Sequence, residues 1–170
     1  MITRHRLRRK PLLAVPLLLV VAATSAWAAG ERLLLVSDLQ KRTQEITVGV
    51  RKPFTVTLVA ERDAEKPQVS TVAFKLEVPE GIVIVGEELL VQSLVALGTP
   101  RAGMHLAFHC VEAKQVPVYQ FKMVATKAVD KVTLRTLPED KTDFLGIVAC
   151  RDENFEKWSC PAAKFTITAR

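Results

Sequence analysis

From Gln44 onward the apolar residues recur at every second position in short runs, and this period of two decides what the chain can fold into. In FTVTLVAE, Phe54, Val56, Leu58 and Ala60 share one side while Thr55 and Thr57 take the other. TVAFKLEV sets Val72, Phe74, Leu76 and Val78 against Thr71, Ala73, Lys75 and Glu77. VYQFKMVA sets Tyr119, Phe121, Met123 and Ala125 against Gln120 and Lys122, and KVTLRT sets Val132 and Leu134 against Lys131, Thr133 and Arg135. KFTITAR points Phe165 and Ile167 to one side. A repeat of two is the signature of a strand with one buried face.

Turn residues punctuate these runs at Arg51-Lys52-Pro53, Asp63 to Pro67, Pro79-Glu80-Gly81, Gly98-Thr99-Pro100 and Pro138-Glu139-Asp140. One stretch, GEELLVQSLVAL, also suits a helical turn through Leu89, Leu90 and Leu94, but β-branched Val91 and Val95 and the flanking strands favour a strand. About nine strands with no helix long enough to cross between parallel neighbours predict an all-β fold. Its form is a two-sheet antiparallel β-sandwich, jelly-roll or Ig-like.

Ahead of this region stands a different kind of sequence. MITRHRLRRK carries five basic residues and no acid, and the apolar run that follows ends in the small residues around Ala26-Trp27-Ala28. That layout is a secretory signal peptide over residues 1–29, with cleavage just after Ala28 or Ala29. The apolar run is short for a membrane span and contains Pro11 and Pro16, so no permanent membrane anchor is expected after cleavage. Residues 30–170 are then expected to form one domain of about 140 residues, secreted or periplasmic.

Loss of the leader changes the charge. Of 24 Lys and Arg, five leave with the first ten residues, so 19 remain against 18 Asp and Glu. The high pI is therefore no argument for nucleic acid as a partner.

In an oxidising compartment paired cysteines persist as disulfides. Three are present, Cys110, Cys150 and Cys160, and Cys150 is shared by both plausible pairings. The chain-entropy model gives roughly 3 kcal/mol for a Cys150–Cys160 bridge and roughly 4 kcal/mol for Cys110–Cys150, which does not choose between them.

GMHLAFHC, residues 103–110, gathers a methionine, two histidines and a cysteine. On a strand Met104, Leu106, Phe108 and Cys110 form the core row, and His105 and His109 face solvent. Two histidines four residues apart on a strand stand about 13 Å apart, too far to share a metal ion. His105 and His109 are thus weak metal candidates, and no cofactor is expected. No nucleophile, base and orienting group fall together, so no catalytic residues are assigned and the chain reads as a non-enzyme. Asp152, Glu153 and Asn154 offer oxygens of the kind calcium takes, but in a pattern usual for a solvated loop. For sugar stacking, Tyr119 shares its row with Phe121 and Met123 and reads as core. Trp158, with Phe155 beside it, is the one candidate ligand contact.

The runs ITVGVRKPFTVTLVAE and VSTVAFKLEVPEGIVIVGEELL, with YQFKMVAT, KVTLRTL and KFTIT after them, resemble a cohesin domain over most of residues 44–170. The turn Val78-Pro79-Glu80 departs from the aromatic-Asp-Pro turn common in that family, and three cysteines are unusual for it. The resemblance implies a jelly roll related to carbohydrate-binding modules and a non-catalytic role in binding a partner. In cohesins that partner is a dockerin, gripped on one sheet face. No dockerin-contact residue carries over to a position of this sequence. The expected function is an exported binding module for a protein partner or a polysaccharide assembly, with an Ig-like structural or adhesion domain as the alternative.

Overall fold

A computed structural model describes residues 30–62, 68–151 and 154–170. The expected leader, the turn at Asp63 to Pro67, and Asp152 with Glu153 lie outside these residues. Among the described residues there are twelve strands and no helix long and apolar enough to cross a membrane.

The strands are β1 (Arg32–Val36), β2 (Glu45–Val48), β3 (Pro53–Glu61), β4 (Gln68–Glu77), β5 (Ile82–Leu89), β6 (Ser93–Thr99), β7 (Gly103–Glu112), β8 (Gln115–Ala125), β9 (Val129–Leu137), β10 (Gly146–Arg151), β11 (Asn154–Ser159) and β12 (Lys164–Ala169). One sheet has the order β1-β3-β8-β5. The other runs β11-β10-β4-β9-β12-β2, with β7 on β4 and β6 on β7. The stretch from Gly86 to Leu97, where helix competed with strand, is the end of β5 and most of β6.

The alternating rows meet between the sheets. Val56, Leu58 and Phe121 from one sheet, and Val72, Phe74, Leu134, Phe165 and Ile167 from the other, are fully buried in a single core. Covering such side chains from water supplies roughly 1.5–3 kcal/mol each, the main force that closes the sandwich. Tyr119 joins this core, stacked on Phe121 at 4.9 Å with its hydroxyl donating to Glu87 at 3.0 Å. Burial and then the Glu87 carboxylate push its phenol up to about 12.

Within the described residues, the other expected turns separate strands where the sequence places them. Gly81 and Gly98 take φ of +86° and +85°, a region that L side chains rarely adopt. Arg51 has φ +63° in the turn before β3.

Two features depart from the sequence reading. β12 pairs with β2 in parallel, Ile167 opposite Ile46, so the sandwich is antiparallel except at this seam. The seam joins strands far apart in sequence, which no local pattern encodes. The second feature lies along β4. β7 pairs with residues 68–74 of β4, and β10 pairs with residues 71–73 on the opposite edge. β9 takes up that same edge at residues 75–77, because the Leu76 amide on the other side donates to Pro100 O. β9 and β10 therefore run in line along one edge of β4, interrupted by residues 138–145. This excursion is a flap, closed on itself by the Glu139–Phe144 bridge and by Asp143 N donating to Glu139 O at 2.8 Å.

Candidate docking face

Cross-strand partners share a face of the sheet, so the register lays out the outer surface of β6-β7-β4-β10-β11 row by row. One row reads Leu97, His105, Ala73, Gly146, Ser159, and the next reads Val95, Ala107, Thr71, Val148, Lys157. Small side chains dominate the middle of both rows. The result is a shallow floor with an apolar rim on β6, where Leu97 is 60% and Val95 49% exposed. Lys157 of β11 stands at the opposite rim.

The flap closes one end of this floor. Glu139, only 4% exposed, reaches the β7 histidine, with Glu139 Oε2 and His105 Nε2 3.1 Å apart. With its proton on Nε2, the ring donates to Glu139 and toward Thr142 Oγ1 at 3.3 Å. The Thr142 amide and hydroxyl both donate to the same carboxylate oxygen at 2.9 Å. Burial alone would raise the Glu139 pKa. The hydrogen bonds from His105, the Lys141 amide and Thr142 outweigh it and hold the carboxyl down at about 2. A Lys75–Asp140 ion pair at 2.7 Å adds a second, more exposed tie. Between flap and β6–β7 hairpin lies a cleft of about 400 Å³ lined by Leu97, Ala102, His105, Glu139, Lys141 and Thr142.

At the other end of the floor stands the disulfide, which joins Cys110 to Cys150 with 6.0 Å between their Cα atoms. Along residues 103–110 the expected core row stops short of Cys110. Met104, Leu106 and Phe108 are buried as alternation requires, but Cys110 is exposed rather than inside. The cause is a bulge: four residue steps of β7, Ala107 to Val111, pass opposite only two of β4, Thr71 to Val69. The extra residues turn Cys110 out of the core row and toward Cys150 of β10. Ser70 is 7% exposed and donates to Val148 O at 3.3 Å.

Cys160 is unpaired and buried, its thiol pushed up to about 12, chiefly by burial. A Cys150–Cys160 bridge is excluded by the hairpin register. Cys150 opposes Phe155 at the tip, whereas Cys160 lies past the base, its amide bonded to Leu145 O.

The two histidines separate. His105, expected to face solvent, does lie on the outer side of β7 but is half-covered by the flap. His109 is exposed and borders a different cleft with Leu90, Val91 and Gln115. Among the described residues no group of three or more His, Cys, Asp or Glu is placed to hold a metal ion. Trp158 lies under the Arg62 guanidinium, 4.1 Å from the ring centroid, and Phe155 is 71% exposed near the hairpin tip. Arg62 is itself fixed by Glu31 at 3.2 Å and Gln68 O at 3.1 Å. Glu139 and Thr142 had no signal in the sequence beyond a turn at Pro138, because their partner His105 is 34 residues away from Glu139.

No protein-family model and no curated protein matches the chain. Solved structures do. A cohesin module from a Clostridium perfringens family 33 glycoside hydrolase superposes over 84% of this chain and 99% of its own length, with a TM-score of 0.55 at 13% identity. The seventh ScaB type I cohesin of Pseudobacteroides cellulosolvens covers 83% of this chain and 94% of itself, with a TM-score of 0.54 at 8% identity. The structure of a type I cohesin–dockerin complex from Clostridium thermocellum matches over 83% of this chain and 95% of the matched chain, with a TM-score of 0.52 at 7% identity. The sandwich, with β9 and β10 in line on one edge of β4, is the fold of a cohesin module.

Proposed function

We propose that this chain is an exported, non-catalytic binding module that grips a protein partner on the outer face of β6-β7-β4-β10. The observation that carries the reading is the half-buried floor of Thr71 and Ala107, with Ala73 and Gly146 buried beside it, between an apolar rim and two fixed ends. Small side chains let a partner's backbone come close, exposed Leu97 and Val95 supply apolar area, and flap and disulfide hold the surface rigid before binding. The cohesin fold supports it, since one of the matched structures is a cohesin–dockerin complex. Export is supported by the leader-like residues 1–29 and by a disulfide, which persists in an oxidising compartment.

Polysaccharide binding is less well supported. Sugar rings need exposed aromatic platforms, and here Arg62 occupies a face of Trp158 while Phe155 projects alone at the hairpin tip. The test is affinity capture of proteins from the native secretome on the wild-type chain and on Ala107→Arg. Ala107 lies at the centre of the floor, so the substitution should abolish capture with the fold unchanged. Equal capture by both, or retention of polysaccharide alone, would remove the proposal.

A further inference from the structure

Five strands end a sheet with a free edge among the described residues: β1, β2, β5, β6 and β11. Free edges invite pairing with other chains, and proteins guard them with charges, proline, bulges or shortness. β1 has Arg32, β2 has only four residues and starts at Glu45, β5 has a bulge with Glu87 and Glu88, and β11 has Glu156 and Lys157. β6, SLVALGT, has none of these charges over seven residues, and every residue in it is exposed. Its one irregularity, between Ser93 and Val95, leaves Val95 to Thr99 regularly paired with β7. Leu94, Val95 and Leu97 are 59%, 49% and 60% exposed.

We propose that β6 pairs antiparallel with β6 of a second copy across a two-fold axis, making β7-β6-β6-β7 one continuous sheet. Such pairing sets each residue near the axis against itself or a close neighbour, so a charge there would repel its own copy. None is present from Leu89 to Pro100. With the axis at Ala96, Val95 of one protomer faces Leu97 of its partner twice over, and both side chains lie on the outer face. Over the paired stretch Ser93 to Thr99 no charge meets a like charge, and Glu87 and Glu88 stay on β5 in the other sheet. A single strand pair buries well below the ~1,600 Å² of a standard interface, so the dimer is expected to be weak and reversible.

This inference concerns the strand edge and does not depend on the docking face. It is tested on the purified protein alone, by sedimentation equilibrium from about 10 µM to about 1 mM. A reversible monomer–dimer equilibrium is expected, weakened more than about tenfold by Val95→Lys with Leu97→Lys. Leu39→Lys, at an exposed position on the β1–β2 connection, should leave it unchanged. Ala96→Cys should cross-link to itself on mild oxidation, because directly opposed residues stand about 4.5–5.5 Å apart, within disulfide reach. A monomer at every concentration, a dimer indifferent to the lysines, or a dimer in which Ala96→Cys does not cross-link would overturn the proposal. So would a monomer whose β6 takes up an extended segment of some other protein.

Discussion

Removing the Cys110–Cys150 bridge is the perturbation whose size follows most directly from the structure. The bridge closes a loop with a sequence separation of 40. The chain-entropy relation assigns such a loop about 13 cal/mol/K of lost freedom in the unfolded chain, or about 4 kcal/mol at 25 °C. Cys110→Ser with Cys150→Ser should therefore lower the unfolding free energy by about 4 kcal/mol. For a folded part of about 140 residues, unfolding entropy near 0.3 kcal/mol/K converts this to a Tm lower by roughly 14 °C. The assay is urea unfolding of the oxidised wild type and of the double variant, read by tryptophan fluorescence and circular dichroism together. The slope against urea should rise slightly in the variant, whose unfolded chain is less compact. A loss below about 1 kcal/mol would refute the reasoning, because it would mean that the unfolded chain gains no freedom when the bridge is gone.

Glu139→Gln should remove an acid-sensitive part of the stability. The Glu139 carboxyl is lowered from 4.5 to about 2 on folding, so its contribution is complete above 4.5 and is lost as pH falls toward 2. Acid titrations of stability should run closer to flat over that window in the variant, and identical profiles would contradict the role of the His105 and Thr142 bonds. A thiol reagent should find no reactive cysteine in the native protein and one, Cys160, after unfolding without reductant. Fast reaction in the native state would show that Cys160 is not buried. Gly146→Ala should destabilise the β10–β11 hairpin, because the added Cβ would stand 2.0 Å from Trp158 O and 2.8 Å from Phe144 Cζ. Hydrogen exchange should report faster exchange at β10 and β11, and unchanged protection there would contradict the packing.

Alternation carried the fold because burial on one side of a strand writes itself into neighbouring letters. Phe54 to Ala60, Val72 to Leu76 and Tyr119 to Ala125 all lie in the core as their period requires. Cys110 shows where that signal ends. Met104, Leu106, Phe108 and Cys110 alternate in the sequence, yet the bulge opposite Ser70 breaks the row before Cys110. Nothing in β7 itself announces the extra residues, since the bulge is a property of two strands and not of one. The same limit hid the flap. Pro138-Glu139-Asp140 reads as a turn, whereas the burial of Glu139 depends on His105 in another strand. Thr136, fully buried with its hydroxyl accepting from the Ala163 amide at 2.8 Å, is a further polar group whose place is set by a distant partner.

The disulfide that joins β7 to β10 also orders the way the molecule can come apart. While it is intact, β7 and β10, which flank β4, cannot separate from one another at that end of the sheet. Partial openings must then begin away from the bridge, at short edges such as β1 and the parallel β2–β12 seam. The strands joined by the bridge open last, so the middle of the β7-β4-β10 face outlives local fraying.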